Sequence, residues 1–309
     1  MTCAVCGGAI DRSRDLRWVK DGHAILLCPT CGVLERADLP AEEELEGLYL
    51  DDYFFSSAGD VGAQGYADYL REEPNHRAVA RRRLRMLARY VTPGAVLDVG
   101  CAAGFFADEA QRQGWRAEGV ELSATMAEHA RSLGVTVHEG LFAAADLPAE
   151  SVDAVTMWDY IEHATDPVDD LRRAAALLRP GGIVALSTGD ASSLAARLTG
   201  RRWHLLTPRH HNFFFTPGAI RTALARAGFV PLRVSHPGGI YSVAYLSHKL
   251  GTLVDVGSLK VAATGRAGRV AVPLNLFDIM TVVARRGGQP TGTTRPASTS
   301  ASARPGAGS

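Results

Sequence analysis

Short apolar runs alternate with amphipathic stretches between residues 93 and 286 of the chain. Runs rich in Val, Ile, Leu and Ala predict five successive strands, at 95–100, 116–122, 135–139, 152–158 and 183–187. Apolar residues at helical spacing between and after these runs predict helices at 105–113, 124–133, about 168–178 and 217–227. Continuous apolar strands that alternate with helices are typical of a parallel sheet covered on both faces.

The end of this region departs from the simple alternation. Residues 230–234 and 279–284 predict two further strands, paired antiparallel at one edge of the sheet. The stretch between them, about 238–275, is predicted as an insertion with a helix at 241–250. The sequence Pro-Gly-Gly at 180–182 predicts a turn before the fifth strand. The pattern therefore predicts an α/β domain with a Rossmann-like, seven-stranded, mostly parallel sheet and one antiparallel edge strand.

Composition narrows the class of protein. The chain has 309 residues, 46% of them apolar, and its 33 basic and 33 acidic residues give zero net charge. That balance does not favour a protein held mainly by the phosphates of a nucleic acid. No apolar run approaches the ~20 residues that span a bilayer and no signal peptide is present, so we expect a cytoplasmic protein without a membrane partner. Residues 287–309, rich in Gly, Pro, Ser, Thr and Ala, are predicted as a disordered tail.

Four of the five cysteines form two C-x-x-C pairs near the N-terminus, Cys3 with Cys6 and Cys28 with Cys31. A glycine follows each pair, which suits the tight turns of metal-binding knuckles. Four thiolates suit a tetrahedral zinc ion and leave no open coordination position, so we predict a structural, zinc-ribbon-like module at 1–35. The alternative is four free cysteines in a reducing compartment.

Residues 36–92 form a connector that changes from acidic to aromatic to basic along its length. Its aromatic side chains either close over a cofactor or pack the connector onto the next domain; they are Tyr49, Tyr53, Phe54, Phe55, Tyr66 and Tyr69. The arginine-rich stretch at 77–89 predicts a helix with a solvated basic face. The alternative for this stretch is a face that binds the phosphates of a nucleotide-linked sugar or of RNA.

A glycine-rich turn is the main chemical signal of the sequence. V-L-D-V-G-C-A-A-G-F-F at 96–106 joins the first strand to its helix, and Gly100 and Gly104 allow close approach of a ligand to the backbone. The turn lacks the G-x-G-x-x-G spacing of dinucleotide folds and the G-K-[ST] ending of phosphate loops, which disfavours NAD enzymes and ATPases. Glu121 ends the second strand about 20 residues further on, where a carboxylate can accept both ribose hydroxyls of a nucleoside.

Two further segments follow predicted strands. Residues 140–142 follow the third strand, where an apolar wall suits an adenine ring, and W-D-Y-I-E-H at 158–163 follows the fourth. Because open α/β sheets bind ligands at the carboxyl ends of their strands, we expect all four motifs to border one site.

With these four motifs at the ends of four successive predicted strands, the chain resembles the class I S-adenosylmethionine-dependent methyltransferases. The resemblance implies S-adenosyl-L-methionine as cofactor, with the glycine turn around its methionine part, Glu121 on the ribose and the loop after the third strand at the adenine. The residues implied for cofactor binding are Asp98, Gly100, Cys101, Gly104, Glu121, Leu122, Leu141, Phe142, Trp158 and Asp159. Independently of the resemblance, Cys101 is predicted as a packed small residue and not a nucleophile.

Motifs outside the cofactor turn resemble one bacterial subgroup of this class. They include C-P-T-C-G-V-L at 28–34, R-R-W-H-L-L-T-P-R-H-H-N-F-F-F at 201–215 and F-D-I-M-T-V-V-A-R-R at 277–286. Members of the subgroup join an N-terminal zinc-ribbon-like segment to a methyltransferase domain and often accompany sugar, polysaccharide or secondary-metabolite biosynthesis. The resemblance covers nearly all of 1–286 and implies a small-molecule acceptor, such as a sugar or secondary metabolite.

Histidines are the candidates for the acceptor side, because a hydroxyl acceptor benefits from a general base. His210 and His211 follow the fifth strand and precede three phenylalanines, and at most one of two neighbours is expected to face the site. His163 is a further candidate, close to a predicted helix start. The alternative for each histidine is a capping or packing role.

The sequence favours O-methylation of a sugar or natural-product intermediate, and two alternatives stay open. The first is an RNA methyltransferase whose zinc segment binds RNA, with an affinity that falls steeply with salt. The second is a binding or scaffold protein that keeps the fold without catalysis. W-D-Y-I-E-H differs from the D/N-P-P-Y motif of enzymes that methylate the amino nitrogens of nucleic-acid bases.

Overall fold

A computed structural model describes residues 1–40, 69–242 and 271–287. The helices in these ranges are α1 (Glu73–Leu87), α2 (Phe105–Arg112), α3 (Ala124–Ser132), α4 (Pro167–Leu177), α5 (Leu194–Thr199) and α6 (Pro217–Arg226). The first seven strands are β1 (Leu16–Lys20), β2 (His23–Leu27), β3 (Leu34–Arg36), β4 (Ala95–Val99), β5 (Arg116–Glu121), β6 (Thr136–Glu139) and β7 (Val152–Trp158). The remaining strands are β8 (Leu178–Gly189), β9 (Phe213–Phe214), β10 (Phe229–Ser235), β11 (Gly239–Ser242), β12 (Ala271–Leu274) and β13 (Ile279–Arg286).

The central sheet has seven strands in the order β10-β13-β8-β7-β4-β5-β6. Strands β4 to β8 are paired parallel, whereas β13 is antiparallel to both of its neighbours, β8 and β10. The predicted fold class is therefore confirmed, including the antiparallel pair at one edge.

The two faces of this sheet bury different helices, because successive strand residues point to opposite sides. Val96 of β4 shares a core cluster with Leu84 of α1 and with residues of α2 and α3. Leu97, the next residue, belongs to a cluster with Leu171 of α4 and with residues of α6. Helices α1, α2 and α3 therefore cover one face, and α4 and α6 cover the other.

Polar side chains fix the start of three of these helices. Ser123 accepts a hydrogen bond from the Met126 amide at the start of α3, and Asp166 accepts from two amides at the start of α4. The Thr216 side chain accepts a hydrogen bond from the Ala219 amide at the start of α6, where Pro217 occupies the first turn. Each such cap stabilises a helix by about 1 kcal/mol. The caps of α3 and α4 follow the central-sheet strands β5 and β7, whereas the cap of α6 follows β9, which belongs to a different sheet.

A second, four-stranded sheet has the order β1-β2-β3-β9. Its first three strands come from the cysteine-containing N-terminal segment, but β9 comes from the larger domain. Val5 and Val33 of that segment also lie in the same buried cluster as Phe213 and Phe215. The N-terminal segment and the larger domain therefore share one continuous core.

Two local predictions are wrong in part. The predicted helix at 241–250 begins as strand β11, which pairs with β12, and its later residues lie outside the described ranges. The predicted turn at 180–182 lies inside β8, where pairing with β7 shifts from Val152–Leu178 to Ala154–Ile183 and Gly181 has a φ of +79°. The chain bulges at this point and continues along the same neighbour, because glycine tolerates the left-handed conformation.

The predicted solvated face of the arginine-rich helix is also wrong in part. In α1 the Arg77 side chain is only 12% exposed and pairs with Asp108 and Glu109 of α2, so it joins two helices. The aromatic residues before Tyr69 and the tail beyond residue 287 lie outside the described ranges. Within those ranges, no helix has the length and apolar character needed to cross a membrane.

Candidate active site

A cavity of about 1080 Å³ lies at the carboxyl ends of β4, β5 and β7. Its volume is slightly above the range of about 300–1,000 Å³ that is usual for ligand sites. All ten residues implied for cofactor binding except Gly104 line it. The motifs that the sequence places at strand ends therefore border one cavity.

The turn between β4 and α2 is held against the neighbouring strand. The amides of Gly100 and Cys101 both donate to the carbonyl oxygen of Val120, at 2.9 Å and 3.0 Å. Gly100 has a φ of +69°, and a Cβ built there would lie 2.9 Å from Cδ2 of Tyr160. Only glycine therefore allows this turn to lie beside the Tyr160 ring at the cavity wall.

Gly104 and Cys101 have packing roles in the structure. A Cβ at Gly104 would lie 2.6 Å from Cβ of Ala130, so the missing side chain lets α2 pack against α3. Gly104 is the one residue of the implied cofactor set that does not line the cavity, and its contact with a ligand stays a prediction. The Cys101 thiol packs over Gly119, where an added Cβ would lie 2.4 Å from Sγ, as expected for a packed small residue.

Glu121 ends β5 with its carboxylate fixed by two backbone amides. Oε1 accepts from the Ser123 amide at 2.8 Å, and Oε2 accepts from the Ala102 amide at 2.7 Å. Burial raises the pKa of this carboxyl, and the amides that bond to it oppose that rise. Each oxygen keeps a second lone pair, so the carboxylate is pre-oriented to accept hydrogen bonds from a diol.

Asp98 lies in β4 beneath the glycine turn. Its Oδ1 accepts a hydrogen bond of 2.5 Å from the Thr156 hydroxyl of β7. Burial raises the pKa of Asp98 to about 7. A buried carboxyl with this pKa is ready to ionise when a cation binds above it.

The apolar wall predicted after β6 is present. Leu141 and Phe142 line the cavity, as does Leu122 after β5. The guanidinium of Arg173 lies 5.2 Å from the centre of the Phe142 ring, which holds the ring in place. This side of the cavity therefore suits a flat, apolar group such as a purine.

Trp158 and Asp159 lie at the end of β7 and contact an arginine that sequence reasoning missed. The guanidinium of Arg83, in α1, lies 4.3 Å from the centre of the Trp158 ring and donates to Asp159 at 3.3 Å and to Ser187 at 3.0 Å. Asp159 has a φ of +53°, and its amide donates to the Ser187 carbonyl oxygen at 3.0 Å. No local pattern in the basic stretch distinguishes Arg83 from its neighbours.

A second polar cluster lies across the cavity and consists of Glu162, His163 and His211. Their potential ligand atoms all lie within 4.8 Å of one another, and the two imidazole rings meet edge to face at 4.7 Å. Glu162 was not selected from the sequence, although it stands next to His163 in the W-D-Y-I-E-H motif. His210 does not line the cavity, but its carbonyl oxygen contacts Nδ1 of His163 at 2.8 Å.

The charge state of this cluster follows from its burial. Burial raises the pKa of Glu162 to about 8, and the negative charge of Asp159 adds to the rise. Burial lowers the pKa of His163 to about 4. Both groups are therefore neutral near pH 7, and the imidazole of His163 keeps one unprotonated ring nitrogen.

Two aromatic residues of the connector reach the cavity at its α1 side. The rings of Tyr69 and His76 stack at 4.1 Å, and the Tyr69 ring is also parallel to that of Phe105 at 5.9 Å. Burial raises the pKa of Tyr69 and lowers that of His76 to about 4. Tyr69 thus packs the end of the connector onto the domain and borders the cavity at the same time.

The four N-terminal cysteines form a compact group outside the cavity. Their Sγ atoms all lie within 4.8 Å of one another, with Cys3–Cys31 at 3.8 Å and Cys6–Cys28 at 3.5 Å. A tetrahedral zinc ion with bonds of about 2.3 Å holds its sulfur ligands about 3.8 Å apart, so the group fits zinc. The two knuckles share one backbone feature: Gly7 and Gly32, which follow the second cysteine of each pair, both have a φ of +76°.

The strand order, the glycine turn and the acidic residue that ends the next strand define the class of Rossmann-like methyltransferase domains. Comparison with known families agrees, since residues 69–234 match a family model described as "Methyltransferase domain". This match covers more than half of the chain, and the chain belongs to that methyltransferase family.

Curated relatives are named for one reaction. "Ubiquinone biosynthesis O-methyltransferase" of Xanthomonas campestris pv. campestris (strain B100) is 35% identical over 135 residues, which are 41% of this chain and 56% of that protein. The protein of the same name from Serratia proteamaculans (strain 568) is 31% identical over 175 residues, which are 52% of this chain and 71% of that protein. The chain thus spans little more than half the length of the Xanthomonas relative.

Solved structures show the same fold. The YcgJ protein of Bacillus subtilis matches with a TM-score of 0.50 and 16% identity over 69% of this chain and 100% of that chain. A chain in the complex of the Haloferax volcanii Trm112 methyltransferase activator with a methyltransferase matches with a TM-score of 0.50 and 18% identity, over 70% of this chain and 92% of that chain.

Proposed function

We propose that this protein transfers a methyl group from S-adenosyl-L-methionine to a hydroxyl oxygen of a small molecule, a sugar or natural-product intermediate. The observation that carries the proposal is that one cavity contains both a nucleoside-binding half around Glu121 and a histidine-containing half around His163 and His211. The names of the relatives support O-methylation, because they describe O-methyltransferases in a biosynthetic pathway.

In the nucleoside half, individual residues match individual parts of the proposed cofactor. When bound, S-adenosyl-L-methionine supplies an electrophilic methyl group on a positively charged sulfur. Glu121 would accept hydrogen bonds from the ribose hydroxyls, and Leu141 and Phe142 would enclose the adenine. Asp98, with its pKa of about 7, would place a negative charge near the cationic end of the cofactor.

The histidine half would bind and deprotonate the acceptor. His163 is neutral because burial lowers its pKa to about 4, so it has a nitrogen able to take a proton. His211 lies beside it, and Glu162, when ionised, would stabilise the positive charge that develops on either ring. The cavity excludes bulk water from these groups, because Glu162 is 5% and His163 is 9% exposed.

The four N-terminal cysteines are proposed to hold a structural zinc ion. The group contains four thiols and offers no open position for a substrate, so a catalytic role for the metal does not fit. In so small a segment, metal binding would supply a large part of the folding free energy.

Two measurements test the proposed function. Calorimetry should show binding of S-adenosyl-L-methionine, and incubation with methyl-labelled cofactor and a panel of hydroxylated sugars and natural-product intermediates should place the label on an oxygen. Absence of cofactor binding would favour a scaffold protein. Label that appears in RNA, with binding that weakens steeply as salt rises, would favour the RNA alternative.

A further inference from the structure

Strand β9 connects the cysteine segment to the histidine half of the cavity. It is the fourth strand of the N-terminal sheet, and it pairs with β3 through Leu34–Phe214 and Glu35–Phe213. His211 lies two residues before β9, so the segment that carries this histidine enters a sheet whose other strands belong to the cysteine segment.

Asn212, between His211 and β9, is the centre of this connection. Its carbonyl oxygen accepts from the Arg36 amide at 3.0 Å, and its Oδ1 accepts from Nη1 of Arg36 at 3.3 Å. In the other direction, Nδ2 of Asn212 donates to the carbonyl oxygens of His163 at 2.9 Å and Ala164 at 3.2 Å, and the Asn212 amide donates to that of Glu162 at 2.8 Å. Asn212 is 2% exposed, so these bonds form away from water.

The cysteine knuckles hold the other end of the same connection. The Ala4 amide, in the first knuckle, donates to Oε2 of the buried Glu35 in β3 at 3.3 Å. The Cys28 amide, in the second knuckle, donates to the Val33 carbonyl oxygen at 2.9 Å, immediately before β3. Both knuckles are therefore hydrogen-bonded to β3 or to the residue before it, Val33, and β3 is hydrogen-bonded to Asn212 through Arg36.

These contacts also determine which nitrogen of each histidine is basic. Nδ1 of His163 lies 2.8 Å from the His210 carbonyl oxygen, and Nδ1 of His211 lies 3.0 Å from the Leu205 carbonyl oxygen. A carbonyl oxygen only accepts hydrogen bonds, so Nδ1 donates in both rings and Nε2 is the acceptor nitrogen. The tautomer of each ring therefore depends on the position of the backbone at residues 205 and 210, in the segment that leads to Asn212.

We propose that Asn212 is a positioning residue through which the metal-bound cysteine segment, acting by way of Arg36, orients Glu162, His163 and His211 for the acceptor. The proposal rests on the proposed function for the role of these three residues. Glu121 and Asp98 are held by bonds within the sheet and its turns, none of them to residues of the cysteine segment. Loss of the connection should therefore disturb the histidine half of the cavity, where the acceptor is proposed to bind (the acceptor half), and leave cofactor binding intact.

Two variants separate the steps of this connection. Asn212→Ser removes the whole side-chain amide, which donates to the carbonyl oxygens of His163 and Ala164 and accepts from Arg36. Arg36→Lys removes the guanidinium donor to Asn212 but keeps a positive charge beside Asp38. Arg12→Ala is the matched control, because Arg12 is an exposed residue of the same segment and, among the described residues, its side chain donates to the Ala37 carbonyl oxygen and not to Asn212 or Arg36. Metal analysis should find about one zinc ion per chain in all three variants.

The readouts do not depend on turnover. In both test variants, amide hydrogen exchange in peptides covering 160–165 and 205–215 should quicken about tenfold or more, because bonds that fix these segments are lost. Imidazole nitrogen-15 spectra should show a mixture of tautomers at His163 and His211 in place of the Nδ1–H form. The affinity for S-adenosyl-L-methionine should stay within about twofold of the parent protein.

Chelation of zinc from the full chain is the second arm of the experiment and should reproduce these changes. Unchanged exchange and unchanged histidine spectra in Asn212→Ser would overturn the proposal, as would a parallel loss of cofactor affinity. If chelation unfolds the chain, the zinc-loaded Asn212→Ser variant decides. Absence of methyl transfer in the parent protein would refute the proposed function, whereas the exchange and tautomer results would still test the connection.

Discussion

The two halves of the cavity are built in different ways. In the cofactor half, Glu121 bonds to amides that are 2 and 19 residues away in the chain, so strand, turn and next strand suffice to form it. In the acceptor half, His163 bonds to a residue 47 positions away, and Arg36 bonds to Asn212 across 176 positions. The proposed cofactor site can thus be formed by local βα units, whereas the proposed acceptor site depends on tertiary contacts.

The largest expected effect comes from the acceptor half. His163→Asn and His211→Asn should each lower kcat, and loss of the general base among them should lower it by about 1,000-fold, because proton removal contributes about 10²–10⁴-fold. The affinity for S-adenosyl-L-methionine, measured by calorimetry, should not change. A fall in affinity that matches the fall in kcat would contradict a division of the cavity into two independent halves.

His138→Asn is the control for these variants. His138 is a histidine of β6 whose Nε2 lies 2.8 Å from a carboxylate oxygen of Glu118, and it does not line the cavity. Its kcat should equal that of the parent protein. Two fully active variants at His163 and His211 would show that neither histidine is the base.

The difference between the halves also explains what the sequence could predict. The order of strands and helices, the glycine turn and Glu121 follow from patterns within about 20 residues, and the structure places them as expected. Arg83 was missed because its contacts with Trp158 and Asp159 depend on the way α1 packs over β7. At Gly104 the structure shows a helix-packing role that the sequence pattern does not reveal, since a sequence does not show which neighbour requires the missing side chain.

The connection through Asn212 could not be predicted from the sequence either, because it depends on tertiary contacts between distant segments. Residues 1–35 were expected to form a module of their own, and the two C-x-x-C pairs were found from their spacing alone. The pairing of β3 with β9 depends on backbone hydrogen bonds, which carry no residue signature. Buried charged residues such as Glu35 and Arg36 were the available signal, because charged side chains at buried strand positions need partners.

A smaller effect is expected in the cofactor half. Glu121→Ala should weaken S-adenosyl-L-methionine binding about 100-fold or more, which corresponds to two lost hydrogen bonds to a charged group. Calorimetry measures the change, and a thermal unfolding curve checks that the variant folds without its acceptor for the Ala102 and Ser123 amides. Glu118→Ala, in the same strand but half exposed, is the control and should bind normally. Equal affinity in the Glu121 variant would remove this carboxylate from the cofactor site.

The smallest effect concerns the pH dependence of the cofactor half. Burial raises the pKa of Asp98 to about 7, so this carboxyl is mostly protonated near pH 6 and mostly ionised near pH 8. A cationic cofactor prefers the ionised form, and its affinity should therefore rise about tenfold between these two pH values. Asp98→Asn should remove this contribution, and the difference between parent and variant cancels the titration of the ligand itself. A parent protein whose affinity follows that of the variant at every pH would contradict the role of Asp98.

The raised pKa of Asp98 predicts that stability depends on pH in the direction opposite to that of cofactor affinity. Its pKa is about 7 when folded and 3.8 as the ordinary value, so between these values the folded chain binds more protons than the unfolded chain. The free energy of unfolding must then fall as pH rises through this window. Asp98→Asn should raise the unfolding temperature more near pH 8 than near pH 5, in the absence of cofactor. A residue that costs stability at the pH where it improves binding is retained for the ligand and not for the fold, and thermal unfolding at two pH values tests that assignment without any acceptor.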